Sequence, residues 1–330
     1  MAVQLAVAHG GVSYDATALF VSVTCAGAVG QVARTLDVEL LAPRNDPRQP
    51  TLPVALGDMV QFFCDGVTVF DGFLFSLERD TGGDTLRLGC ADRGIYLKNN
   101  EGCYKFTGQT PEAIAGRVCR DFGVPVGALA PAGVAVTRSF PGVSLYKIIQ
   151  TAYTLASRQN GRRYLLRFDG DRLTVIEKAQ TAGARAIRAG AELIGATLSE
   201  SGENAVSQVA IYDENGTLLR VRSNDALGAQ LGVMRRYLEK KKDQDPDQEA
   251  AALLEDNDVE RKITVSCFGD PSLRSGDSVV VSEPLTGLTG LYWVDGDSHV
   301  WARDGTYTNK LTLDLRNVMD ETEAGREVKK

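Results

Sequence analysis

His9 and His299 are the only imidazoles in the chain. A histidine-based metal site would need both, together with acids at ligand spacing, and nothing brackets either one that way. His299 lies between Ser298 and Val300 in an apolar alternating run, which suits a surface or structural role. Asp243, Asp245 and Asp247 alternate like the opening of a calcium loop. The pattern then fails: the sixth position is Gln248, not glycine, and the twelfth is Leu254, not glutamate. A helix cap accounts for these acids. Glu200 and Glu203 could form a carboxylate pair for glycoside cleavage, but no cleft is marked around them. No GxSxG, HExxH or phosphate-binding loop occurs. We therefore expect no catalytic residue, no cofactor and no metal.

The cysteines, Cys25, Cys64, Cys90, Cys103, Cys119 and Cys267, form no CxxC pair. Most sit in apolar runs such as Phe62-Phe63-Cys64, so buried, reduced thiols and a cytoplasmic, reducing origin are expected. Arg235, Arg236, Lys240, Lys241 and Lys242 form a basic cluster ahead of an acidic run. A solvated face is the ordinary reading, and contact with an acidic neighbour the sharper one. Over all 330 residues, 43 acids outnumber 36 bases for a net charge of -7. That balance argues against general nucleic-acid binding. No apolar stretch approaches the roughly 18 residues of a membrane span, and the N-terminus has no signal-peptide pattern.

The elements that would position any site are mostly strands. Thr35 to Leu40 alternates cleanly, and Leu19 to Cys25, Val60 to Cys64, Val67 to Leu77 and Thr85 to Cys90 complete a first β set. Its turns fall at Gly27 and Gly30, Pro43 to Pro53, Asp65-Gly66 and Gly82-Gly83. Thr110-Pro111-Glu112 then starts a helix that Gly123 ends. A second helix opens at Ser144, and a hairpin turns at Asp169-Gly170. Strands return from Glu192 on, with a hairpin at Asn215-Gly216. One helix interrupts them, capped at Asp245-Pro246.

The second β set repeats the first in outline. Arg34-Thr35-Leu36-Asp37-Val38-Glu39-Leu40 resembles Arg261-Lys262-Ile263-Thr264-Val265-Ser266-Cys267. Each run leads through a proline-containing loop to a Gly-Asp pair, Gly57-Asp58 and Gly276-Asp277. A hydrophobic strand follows, then a lone glycine, Gly72 or Gly290, then a closing Thr/Leu strand. Generic turn chemistry could supply any one of these matches. Four in order point to duplication, with Gly57 expected to superpose near Gly276 and Gly72 near Gly290. The resulting fold is mainly β with an α/β insert: two tube-like β-barrels flanking a small helix-helix-hairpin domain. The expected boundaries are 1–97, 98–185, 186–318 and a charged tail at 319–330.

The order of elements resembles the XkdQ/YqbQ-like phage tail baseplate hub proteins, related to late control protein D. The residues carrying the resemblance are Phe106 to Glu112, the Ser144 to Ile149 helix start, and Arg261 to Asp277 with its Gly269-Asp270-Pro271 segment. The resemblance implies a homotrimer at the end of a tail tube, in a phage or a headless, bacteriocin-like contractile particle. It further implies contacts with the tube protein, a separate spike protein and other baseplate proteins, and assembly in a bacterial cytoplasm. Membranes and sequence-specific nucleic acid are not among the expected partners, although DNA could pass through the channel. Two other functions compete. A carbohydrate-binding or host-recognition module would use Trp293 and Trp301 as platforms; a peptidoglycan hydrolase would use an acid.

Overall fold

The computed structural model describes residues 1–42, 52–79, 84–178, 185–240 and 245–328. Most of the expected Pro43 to Pro53 turn, all of Gly82-Gly83, and Lys241, Lys242, Asp243, Lys329 and Lys330 lie outside the described residues. The chain divides into two compact units, Met1–Ala196 with Thr264–Lys330, and 197–263.

Seven strands open the first unit: β1 (Val3–His9), β2 (Val12–Asp15), β3 (Phe20–Ala28), β4 (Thr35–Leu41), β5 (Met59–Cys64), β6 (Val67–Arg79) and β7 (Thr85–Asp92). Alternation sends Leu36, Val38 and Leu40 inward from β4, onto a core shared with Leu5, Val60, Phe62, Leu74 and Leu88. β1 and β2 were not foreseen; Val3 to His9 buries only Leu5 and Val7 fully, too short a pattern to stand out.

The insert follows as α1 (Gly94–Asn99), β8 (Glu101–Gln109), α2 (Pro111–Asp121), β9 (Val126–Leu129), β10 (Val136–Ser144), α3 (Leu145–Asn160), β11 (Tyr164–Asp169) and β12 (Arg172–Glu177). Pro111 occupies the first turn of α2, and Ile114, Ala115, Val118 and Cys119 face its core. Gly161, at φ 73°, ends α3 in the left-handed region that glycine adopts without Cβ strain. Ile148, Ile149, Ala152 and Tyr153 of α3 pack with Leu166, Phe168 and Val175 of the β11–β12 hairpin.

The remaining elements are β13 (Arg185–Arg188), β14 (Leu193–Ser201), β15 (Gln208–Tyr212), β16 (Leu218–Ser223), α4 (Asp225–Leu231), β17 (Arg235–Glu239), α5 (Pro246–Asp256), β18 (Glu260–Phe268), β19 (Ser278–Glu283), β20 (Leu288–Ala302) and β21 (Tyr307–Asp314). β15 to α5 belong to the second unit, where a three-stranded sheet, β16-β15-β17, packs against α5 through Val209, Ile211, Leu238 and Ala250. Asp245 caps α5, accepting from the Asp247 N–H at 3.0 Å, as its sequence pattern suggested. α4 is a second helix where one was expected. Asn224 caps it, but it buries only Leu227, so no apolar stripe announced it.

The segment from residue 319 is not a free tail. Met319 joins the core of the insert, the Asp320 carboxylate accepts from the Tyr146 hydroxyl, and Gln150 donates to the Asp320 carbonyl. The Thr322 and Ala324 N–H groups donate to hydroxyls of Thr154 and Thr151 at 3.2 and 3.0 Å. Arg138 and Arg158 hold Glu323 at 3.1 and 2.8 Å. The charges thus serve the inner face of a strap across α3.

One 13-stranded sheet contains both β sets. Trp301 of β20 fills the first β set's core, fully buried against Phe62 at 4.8 Å between rings and stacked on Tyr307 at 4.5 Å. Trp301→Ala should therefore destabilise the first β set by about 3–5 kcal/mol, the range for an emptied aromatic site. Urea unfolding of the two proteins measures the difference.

Candidate assembly interface

The two Gly-Asp turns have the same construction. Gly57 has φ 90° and Gly276 φ 92°, a region open to glycine and strained for other residues. The Gly57 N–H donates to Leu74 O at 2.8 Å, and the Leu74 N–H to Asp58 O at 2.9 Å. The Gly276 N–H donates to Val294 O at 2.8 Å, and the Val294 N–H to Asp277 O at 2.9 Å. Pairing then begins at Met59 opposite Phe73, and at Ser278 opposite Trp293. One residue later, each long strand carries a bulge against its closing strand. The β6–β7 register skips Phe75, and the β20–β21 register skips Asp295. These correspondences align Leu74 with Val294, Ser76 with Gly296, Leu77 with Asp297 and Glu78 with Ser298.

The glycines Gly72 and Gly290 do not correspond. Gly72 lies opposite Val60, two residues past Asp58, whereas Gly290 lies opposite Val281, four past Asp277. Gly72 aligns with Tyr292 instead. Its own need is space: a Cβ there would stand 2.4 Å from the Ala91 carbonyl oxygen. Gly290 is set by its φ of 145°.

Strand order also agrees between the sets. One reads β3-β4-β7-β6-β5-β1 and the other β14-β18-β21-β20-β19-β13. They differ at the last pair, antiparallel for β1 on β5 and parallel for β13 on β19. The sets join where β20, past its bulge, pairs Gly296 to Ala302 against Ala28 to Ser22 of β3.

A buried ion pair pins this junction. Asp297 accepts from Arg34 through both carboxylate oxygens, with Nη1 to Oδ1 at 3.0 Å, and the Ser275 N–H adds a bond at 2.6 Å. His299 Nε2–H faces Leu273 O at 2.9 Å and Asp297 Oδ2 at 3.1 Å, which leaves Nδ1 to accept from the Tyr307 hydroxyl at 2.8 Å. Burial pushes the Asp297 carboxyl up, but the hydrogen bonds from His299 and Arg34 and the guanidinium charge outweigh it and hold the group well below the usual carboxylate range. Asp92 accepts from the Arg34 and Gly94 N–H groups at 3.1 and 2.8 Å, yet burial dominates and pushes it up to about 6. Gly27 gives the guanidinium room, since a Cβ there would lie 2.6 Å from Arg34 Nη1.

Other sequence candidates fall elsewhere. Asp58 accepts from the Ala55 N–H at 2.7 Å and pairs with His9 at 2.9 Å. Asp277 is half-buried, and burial pushes its carboxyl up. Glu200 pairs with Arg261 at 2.8 Å, while Glu203 is exposed. Asp247 pairs with Arg220 and Arg222, so with Asp245 engaged in the cap both described acids of the run have partners. Arg235 binds Gln208 at 2.9 Å on an exposed face. Among the cysteines, Cys103 is the exposed exception and the other five are buried. Among the described residues no cluster of three or more His, Cys, Asp or Glu could hold a metal ion, and no helix is long and apolar enough to cross a membrane. Arg34 and Asp297 themselves escaped sequence reasoning. Arg34 opened the repeated run, but nothing marked a partner 263 positions away.

The fold is that of solved phage tail proteins. The chain aligns over 96% of its length with 99% of the prophage MuSo2 43 kDa tail protein from Shewanella oneidensis, at TM-score 0.73 and 15% identity. A tail protein from Neisseria meningitidis MC58 aligns over 95% of this chain and 96% of its own, at TM-score 0.65 and 13% identity. A family model described as YQBQ-like matches residues 23–314, and the chain belongs to that family. Among curated relatives, the phage-like element PBSX protein XkdQ of Bacillus subtilis (strain 168) is 25% identical over 311 residues, covering 91% of this chain and 94% of that protein.

Asp297→Asn would leave a buried guanidinium without its counter-charge and should cost about 3–5 kcal/mol near pH 7. The sign with pH follows from the depressed carboxyl. Its contribution is complete above the unfolded value of about 4 and is lost as pH falls through the lower folded value. The gap between wild type and Asp297→Asn should therefore close below about pH 4. Asp92 acts oppositely, favouring the folded state as it takes up a proton below about 6. Denaturant unfolding at several pH values reads both trends.

Proposed function

We propose that the chain is the structural hub of a phage tail or tail-like contractile particle, a trimeric adaptor between a hexameric tube and a central spike. The observation that carries this reading is the matched strand order and turn chemistry of the two β sets. Each set supplies one tube-like barrel, with Gly57-Asp58 and Gly276-Asp277 as its repeat landmarks. Three chains then offer six similar barrels to a sixfold partner, and a head-to-tail contact repeated about an axis closes a ring. The insert and its strap occur once per chain, so they break the sixfold pattern and face the baseplate or spike. The division into first barrel, insert and second barrel is part of the same reading. Polar side chains line the channel and apolar ones fill each core.

Relatives support the reading: two solved tail proteins share the fold, and an Escherichia coli protein described as a type VI secretion component similar to T4 tail proteins gp27 and gp5 aligns at TM-score 0.52. The rival readings have less to stand on. Trp301 is fully buried and cannot be a sugar platform, and Glu200 is engaged by Arg261 on an exposed strand.

Peptide quantification of purified particles tests the proposal. Three copies should accompany each tube end, half the number of tube subunits in one ring. Six copies per end would overturn it.

A further inference from the structure

The β20–β3 junction joins the second β set to the first within one chain. Among the described residues, its counterpart on the first set has no strand in it. β6 past its bulge, Ser76 to Arg79, pairs with β7 on one edge, while β5 pairing stops at Phe73 on the other. On β20 the same backbone stretch is covered by β3, and every second residue from Asp297 to Trp301 is buried. On β6 it is uncovered: Ser76, Glu78 and Arg79 are exposed and Phe75 is 46% exposed. At the far end of the sheet, β14 has one neighbour, β18, and a free outer edge among the described residues. β14 holds the place in its set that β3 holds in the other, and both are nine residues long.

Their inward patterns agree as well. β3 turns in Phe20, Val23, Cys25 and Gly27, with a bulge producing the first gap of three. β14 turns its less exposed residues, Leu193, Ala196 and Leu198, at the same spacing. Ser199 therefore matches Ala26, and Glu200 matches Gly27.

We infer that a second copy of this chain is the partner of this edge, its β14 pairing antiparallel with β6 so that Glu78 lies opposite Ser199. The inference rests on the hub reading and specifies its subunit contact. The register copies the internal one, in which Ser298 lies opposite Ala26. Unpaired N–H and C=O groups on both edges would be satisfied in the same step.

The electrostatics of the two junctions differ in a way that suits separable subunits. Inside the chain, Arg34 takes its carboxylate from the other β set, Asp297, across Gly27. At the β14 edge, the corresponding Arg261 is neutralised by Glu200 of its own edge strand at 2.8 Å, and Leu77 stands where Asp297 would. The free edge thus carries no buried charge awaiting a partner, and association adds backbone pairing and the Leu77 side chain. A lone chain remains viable until it meets the next.

Paired cysteines test the register. Opposed residues of an antiparallel pair lie about 4.5–5.5 Å apart at Cα, within disulfide reach. The full chain carries Glu78→Cys and Ser199→Cys with Cys103→Ser, which removes the exposed native thiol. Oxidation is followed on non-reducing gels, in the purified chain over a concentration series and in assembled particles. The expected result is a ladder of linked dimers and trimers that stops at three. Each single-cysteine variant, and Glu78→Cys with Leu198→Cys, should lack that ladder, and melting temperatures of the Glu78→Cys and Ser199→Cys variants should match wild type at these exposed positions. No link in either preparation, or a link through position 198 instead, overturns the junction even where particles still hold three copies. A ladder running past three overturns threefold closure, and hence the hub reading, while leaving the strand pairing in place.

Discussion

The Arg34–Asp297 pair is the constraint on which the β architecture turns. A guanidinium and a carboxylate buried together are costly to desolvate, and removal of either strands the other. The cost is met here by completeness: Asp297 also accepts from Ser275 and faces His299, while Asp92 accepts from the backbone N–H groups of Arg34 and Gly94. The pair therefore fixes the angle and register at which β20 meets β3. Once that register is set, Trp301 enters the core beside Phe62, and two sheets with separate turns become one.

The insert and its strap follow another logic. α3 presents one apolar stripe to the β11–β12 hairpin, and its remaining hydroxyls and amides, Thr151, Thr154 and Gln150, receive the chain from 320 to 324. Arg138, nearly buried, binds both Glu323 and the Ala324 carbonyl. A run that reads as solvated charge in sequence is a satisfied polar seam in the structure. The hydrogen-bond and ion-pair partners of this stretch, Tyr146, Gln150, Thr151, Thr154, Arg138 and Arg158, all lie on α3 and β10.

Much of this was legible in the residues. Alternation in β4, the proline and acid that start α2, the Ser144 start of α3, the Asp169-Gly170 hairpin and the Asp245 cap are local events, and local chemistry specified them. The Gly57 and Gly276 turns were recognisable because a positive φ leaves a glycine in the sequence. Gly72 and Gly290 misled: one glycine avoids a carbonyl and the other adopts a positive φ, so identical letters mark different positions. α4 and β1 bury too few side chains to imprint a period. The junction was invisible because its two strands lie at opposite ends of the chain, and a single arginine and aspartate carry no signal of one another.

The central claim is that one chain holds two equivalent β blocks, so that three chains imitate a ring of six. A cryo-electron microscopy map of the tube end tests it most directly. The account predicts six near-equivalent blocks around the channel, contributed by three chains, with junctions of the β20–β3 kind alternating with junctions between chains. A ring in which each block belongs to a separate chain, or a map that places this chain outside the channel wall, would contradict it.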